Sequence, residues 1–111
     1  MSMNGLANPT VIDLVNIDPT KDFVTLVIVQ DAPWPKGQAL LQALVSKVNT
    51  YMSFARLGTM TTQYPESAGK KVRLQLMSHM KLNAEVKTAV KNLGAALKKW
   101  ETALEVVDVS G

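Results

Sequence analysis

Apolar residues recur at three- and four-residue steps between Trp34 and Gly58, at Leu41, Leu44, Val45, Val48, Met52 and Ala55. At about 3.6 residues per turn such steps fall on one stripe of a helix. Gln42, Lys47, Asn49, Ser53 and Arg56 fall largely on the other side. The spacing predicts a helix of about twenty residues, whose stripe must be buried against the strand-like runs that flank it. Pro33 and Pro35 end the run before it, Pro35 being acceptable in the first helical turn, and Gly58 is well placed just past its end.

The runs on either side supply the sheet. The segments TVIDLVNI and FVTLVIVQ, separated by the turn residues DPTKD, predict a β-hairpin over 10–30. Asp18-Pro19 opens that turn, with the carboxylate free to accept from the turn backbone. Phe23 to Val29 is apolar almost throughout, as in strands covered on both faces or lying at a subunit interface. Residues 59–71 read as a long loop with at most one irregular turn, a candidate binding loop or a plain crossover. Val72 to Met80 alternates as a half-buried strand. A second helix follows, with Asn83 as N-cap, Glu85 in its first turn and Val86, Val90, Leu93, Leu97 and Trp100 on its buried stripe. The final run, ALEVVDVS, reads as a strand. The expected fold is therefore α+β: a two-layer sandwich in the order β-β-α-β-α-β, with two helices on one face of a four-stranded, mainly antiparallel sheet.

Composition narrows the picture modestly. With 111 residues, 47% hydrophobic and 19% charged, the chain suits a single domain, taken as residues 9–111 behind a flexible 1–8. A domain of this size buries roughly two thirds of its unfolded surface and needs neither disulfide nor metal as a staple. Absence of cysteine excludes disulfides and thiolate chemistry. Neither a signal peptide nor a membrane-length apolar run is visible, so a cytoplasmic protein without membrane contact is expected. The net charge of +3 is unevenly placed: Asp13, Asp18, Asp22 and Asp31 precede Pro35 with only Lys21, whereas from Pro35 to Trp100 eleven bases face Glu66 and Glu85. Such asymmetry suits partner steering or self-association, or simply a solvated basic helix beside an acidic loop.

Motifs for catalysis are scarce. His79 is the sole histidine, which leaves no histidine pair for a metal and reads best as a surface residue. Asp13 interrupts an apolar strand, so it is either a base at a cleft or, more simply, a solvent-facing or backbone-capping residue. Phosphate-loop and nucleophile-elbow spacings are missing. No catalytic residue, metal or cofactor is expected. Trp34 between two prolines, Tyr51, and Tyr64 followed by Pro65 suit a partner-binding pocket, the plainer alternative being that Trp34 and Tyr64 pin a helix and a loop onto the sheet. Lys87, Lys91 and Lys98 lie within about 40° of one another on the second helix, either a phosphate-tracking stripe or a solvated face.

Trp34, the Asn49, Thr50, Tyr51 and Phe54 segment, Gly58, Tyr64-Pro65, Gly69-Lys70 and Val72-Arg73, with Val11, Ile12 and Asp13, resemble a family of short bacterial proteins classed as a domain of unknown function. The resemblance spans roughly 9–78 and leaves out the second helix and last strand. It implies a bacterial or phage, cytoplasmic, single-domain protein and brings no ligand or activity. The apolar runs exceed what two helices can cover, so a non-enzymatic module that self-associates through the second strand, the last strand or both, most simply as a homodimer, is the leading expectation. Nucleic-acid binding through the lysine stripe is the alternative.

Overall fold

The computed structural model describes residues 5, 6 and 8–110. Most of the segment expected to be a flexible terminus, residues 1–4 and 7, lies outside the described residues. Strand β1 (Leu14–Ile17) and strand β2 (Phe23–Gln30) form the hairpin. Helix α1 (Gly37–Arg56) leads through a short helix α2 (Thr59–Gln63) and a 3-10 turn at Pro65–Ser67 to β3 (Lys71–Ser78). Helix α3 (Ala84–Leu97), a 3-10 turn at Lys98–Trp100 and β4 (Ala103–Asp108) complete the chain. The fold is α+β, with a four-stranded sheet ordered β1-β2-β3-β4.

The sheet is mixed rather than mainly antiparallel. Only β1 and β2 run antiparallel, Leu14 opposite Val27 and Ile17 opposite Val24. β2 and β3 are parallel, from Phe23 opposite Lys71 to Gln30 opposite Ser78, and β3 and β4 are parallel, from Arg73 opposite Ala103 to Ser78 opposite Asp108. Connection length explains the correction: a tight turn returns the chain antiparallel, whereas a crossover carrying a whole helix brings the next strand back in its predecessor's direction.

Among the described residues three helices form, not two. Residues 59–63 close a turn because the Thr61 and Thr62 hydroxyls donate to the Gly58 carbonyl at 3.1 and 2.8 Å, beside Thr62 N–H on the same oxygen at 3.0 Å. Gly58 itself takes φ +86°, a left-handed conformation that ends α1. At α3, Asn83 Oδ1 accepts from Val86 N–H at 2.8 Å, so the predicted N-cap is present. Glu85 in the same turn accepts from Gly37 N–H at 3.2 Å, linking the starts of α1 and α3.

Alternate strand residues Val24, Leu26, Ile28, Leu74 and Leu76 share one core cluster with Leu40, Leu44, Val48 and Tyr51 of α1 and Val86, Ala89, Val90 and Leu97 of α3. The buried stripe of α1 is Leu40, Leu44, Lys47, Val48, Tyr51 and Phe54. It is rotated from the expected one, and Leu41 and Val45 are exposed. Two stripes of this helix have helical period; the buried one contains a lysine, which a purely apolar count sets on the wet side.

Candidate functional site

Asp13 and Lys47 form a fully enclosed ion pair, Nζ to Oδ1 2.8 Å, with both side chains inaccessible to solvent. Lys47 Nζ also donates to the carbonyls of Asn8 and Val11, each at 2.7 Å, so all three ammonium protons are used. Asp13 Oδ2 accepts from Gly5 N–H and Val29 N–H, both at 2.9 Å. Tyr51, entirely buried, donates from its hydroxyl to the Val27 carbonyl at 2.6 Å and accepts Asp13 N–H at 2.8 Å. Burial, more than the nearby Asp13 charge, pushes the Tyr51 phenol far above its ordinary range. Leu6, buried in the core, has its N–H bonded to Gln30 Oε1 at 2.9 Å. This network fastens the segment before β1 to β2 and α1. Asp13 is thus a backbone cap and ion-pair partner.

The aromatic residues singled out in sequence do not converge. Trp34 is buried and its indole Nε1 donates to Ser78 Oγ at 3.1 Å, while that hydroxyl donates onward to the Met80 carbonyl. Tyr51 belongs to the network above. Tyr64 is half-buried, edge-on to Phe54 with ring centroids 6.4 Å apart, and Pro65 is exposed at the start of its 3-10 turn. Of these four residues only Tyr64 lines the cleft of about 630 Å³ beside β1, together with Asp13, Leu14, Thr50 and Phe54.

The lysines do converge. Lys87, Lys91 and Lys98 are exposed and together line a groove of about 700 Å³ between α3 and β4, whose other walls include Val90, Gly94, Leu104 and Val106. Glu101 is the acid on this groove, and it holds a left-handed backbone with φ +55°. Trp100, expected on the buried stripe, is 44% exposed. Its helix tightens to a 3-10 turn just before it, and the Arg56 guanidinium sits 4.0 Å from the ring centroid.

Sequence reading also missed how the intervening strand positions sort. Leu14 lies opposite Val27, and Val29 opposite Met77, which lies opposite Val107. Val29, Met77 and Val107 form one half-buried apolar row, and Leu14, 48% exposed, stands one row over, beside Val27 and in line with Gln75 and Glu105. The polar end carries Thr25, Arg73, Gln75 and Glu105, with Arg73 stacked 4.1 Å from the Phe23 centroid and its Nε 3.7 Å from Glu105 Oε1. Such alternation, apolar at one end and polar at the other, becomes visible only once strand register is known.

A model of a family of unknown function, DUF6572, matches residues 3–109, and the chain belongs to that family. The match takes in α3 and β4, which the motif resemblance left out. No curated protein and no solved structure is matched by the chain. Among the described residues no helix is long and apolar enough to cross a membrane.

Proposed function

We propose that this member of a family of unknown function is a non-enzymatic interaction module that self-associates through its sheet. In this reading the fold has two layers, α1 and α3 covering one face and the opposite face forming the contact between two copies. The observation that carries it is the apolar row Val29, Met77 and Val107, half-buried on three adjacent strands at positions alternating with the core residues, with exposed Leu14 one row away on β1. Half-covered apolar residues grouped in this way mark contact surfaces more often than scattered ones do. A non-enzymatic role is supported by the enclosure of Asp13, whose carboxylate is occupied by Lys47 and two backbone N–H groups.

The test is sedimentation equilibrium at micromolar protein in low and high salt. A dimer that persists in high salt and is lost in Val29→Glu and Met77→Glu variants is the expected result; a monomer at high micromolar concentration overturns the proposal. Nucleic-acid binding is the second reading, supported by the three lysines sharing one groove, and it requires affinity that falls steeply with salt. The apolar walls of that groove rank it below the first.

A further inference from the structure

We propose that the groove between α3 and β4 receives an acidic, extended peptide segment of a partner protein, added as a fifth strand beside β4. Three independent features of the groove point to this occupant, and none of them involves the sheet face proposed for self-association.

The first is backbone availability. Among the described residues β4 ends the sheet, with β3 as its single neighbour. Val109 N–H is spent on the Ser78 carbonyl at 2.8 Å. Since the backbone groups of successive strand residues point to opposite edges, those of Leu104, Val106 and Asp108 then face outward. An exposed row of donors and acceptors is a template for pairing with another strand.

The second is shape. Leu104 and Val106, whose backbones face out, also turn half-buried side chains toward α3, where they meet Val90, Gly94 and Ala95 as a largely apolar floor. Gly94 leaves the floor low at this point, where an added Cβ would stand at ordinary contact distance, 3.8 Å, from Leu104 Cβ. A strand added at β4 would lay every second side chain on this floor.

The third is charge. Lys87 and Lys91 of α3 and Lys98, the first residue of the turn that follows it, stand at steps of four and seven residues, a line of about 16 Å at 1.5 Å per residue. That equals about five residues of extended chain at roughly 3.3 Å each. Charged groups on the α3 and β4 sides of the groove are these three lysines and Glu101, with Asp108 past the Lys87 end. The groove therefore keeps a net positive rim. Its match is a segment with acid, apolar and acid side chains at alternate positions: the acids against Lys87 and Lys91 at one end and Lys98 at the other, the apolar one over Val90 and Gly94. A second copy paired through β4 would instead bring its own lysine line against this one. A nucleic-acid backbone would satisfy the lysines and leave both the apolar floor and the strand edge unused.

The experiment is fluorescence polarisation with the full chain and a labelled heptapeptide carrying glutamate, leucine and glutamate at alternate positions between valines. Expected are saturable binding and a loss of about tenfold or more in the Lys87→Glu/Lys91→Glu variant. A similar loss is expected with a peptide N-methylated at alternate amides, a change that leaves the protein untouched. Binding that ignores N-methylation overturns the strand-addition geometry. No saturable binding up to about 1 mM, or salt-steep binding of a single-stranded oligonucleotide in place of the peptide, overturns the proposal and returns the lysines to the nucleic-acid reading.

Discussion

Replacing Lys47 by methionine isolates the contribution of one atom to this fold. The substitution keeps most of the buried stem and removes Nζ, which holds the Asn8 and Val11 carbonyls and Asp13 Oδ1 at 2.7–2.8 Å in a site with no solvent access. Two carbonyls then lose a partner, and a carboxylate is left without its counter-charge. Removing one member of a buried pair typically costs about 3–5 kcal/mol, because the surviving charge stays desolvated. A domain of this length is stabilised by about 5–15 kcal/mol in total, so Lys47→Met should bring the urea midpoint down by about a fifth or more. Deleting both charges, in Asp13→Leu/Lys47→Met, should recover only part of the loss, since Gly5 N–H and Val29 N–H lose their acceptor as well. Chemical denaturation followed by circular dichroism reads both variants. Amide exchange at Val29 should accelerate before global unfolding if the network is the local fastening described. A Lys47→Met midpoint corresponding to less than about 1 kcal/mol would refute the reasoning and mean that water enters the site and takes over its hydrogen bonds.

Three further outcomes follow from particular positions. Gly94→Ala should stabilise by about 0.5–1 kcal/mol through helix propensity, since the new Cβ meets only ordinary contact. Gly58→Ala, with nothing within 4 Å of the new Cβ but at φ +86°, should destabilise by about 1–2 kcal/mol, and paired thermal melts check the opposite signs. Tyr51→Phe leaves Asp13 N–H without its acceptor and removes one donor from the Val27 carbonyl at a cost of about 1–3 kcal/mol. Because the folded phenol's pKa is raised, its share of stability is complete below about pH 10, where the unfolded tyrosine begins to ionise, and declines as pH rises further; Tyr51→Phe should remove that alkaline decline in a pH series of denaturation midpoints. Asp18 is held below the ordinary carboxylate range, chiefly by the Thr20 hydroxyl and then by Thr20 N–H, and Asp108 likewise by Ser110. Both should titrate low by carboxyl-carbon NMR, and Thr20→Val should raise Asp18 while leaving Asp108 unchanged.

What could be read in the sequence was whatever depends on near neighbours. The almost uninterrupted apolar run placed β2 at Phe23–Gln30, and Asn83 and Gly58 marked helix ends because capping chemistry is local. The face of α1 was misread because the partner that makes Lys47 a buried residue, Asp13, lies 34 positions away. Tyr51 likewise reaches across to Val27, and neither pairing leaves a trace in periodicity. Trp100 was assigned to the core on the assumption of a uniform helix, which ends three residues earlier. For the candidate site, the lysine line was legible from its spacing alone. The groove it borders required knowing that β4 returns parallel beside β3 under α3, a fact of topology.

The order β1-β2-β3-β4 has a bearing on how the chain is made. Every strand's sheet neighbour is also its neighbour in sequence, with partners 48 residues apart across the first crossover and 30 across the second. A nascent chain emerging from the ribosome therefore never waits for a distant segment to fill a gap in the middle of the sheet; each strand docks on an edge already present. Growth proceeds in one direction, and β4 is the last rung laid. During synthesis β2 and then β3 serve in turn as the open edge, each until its successor arrives.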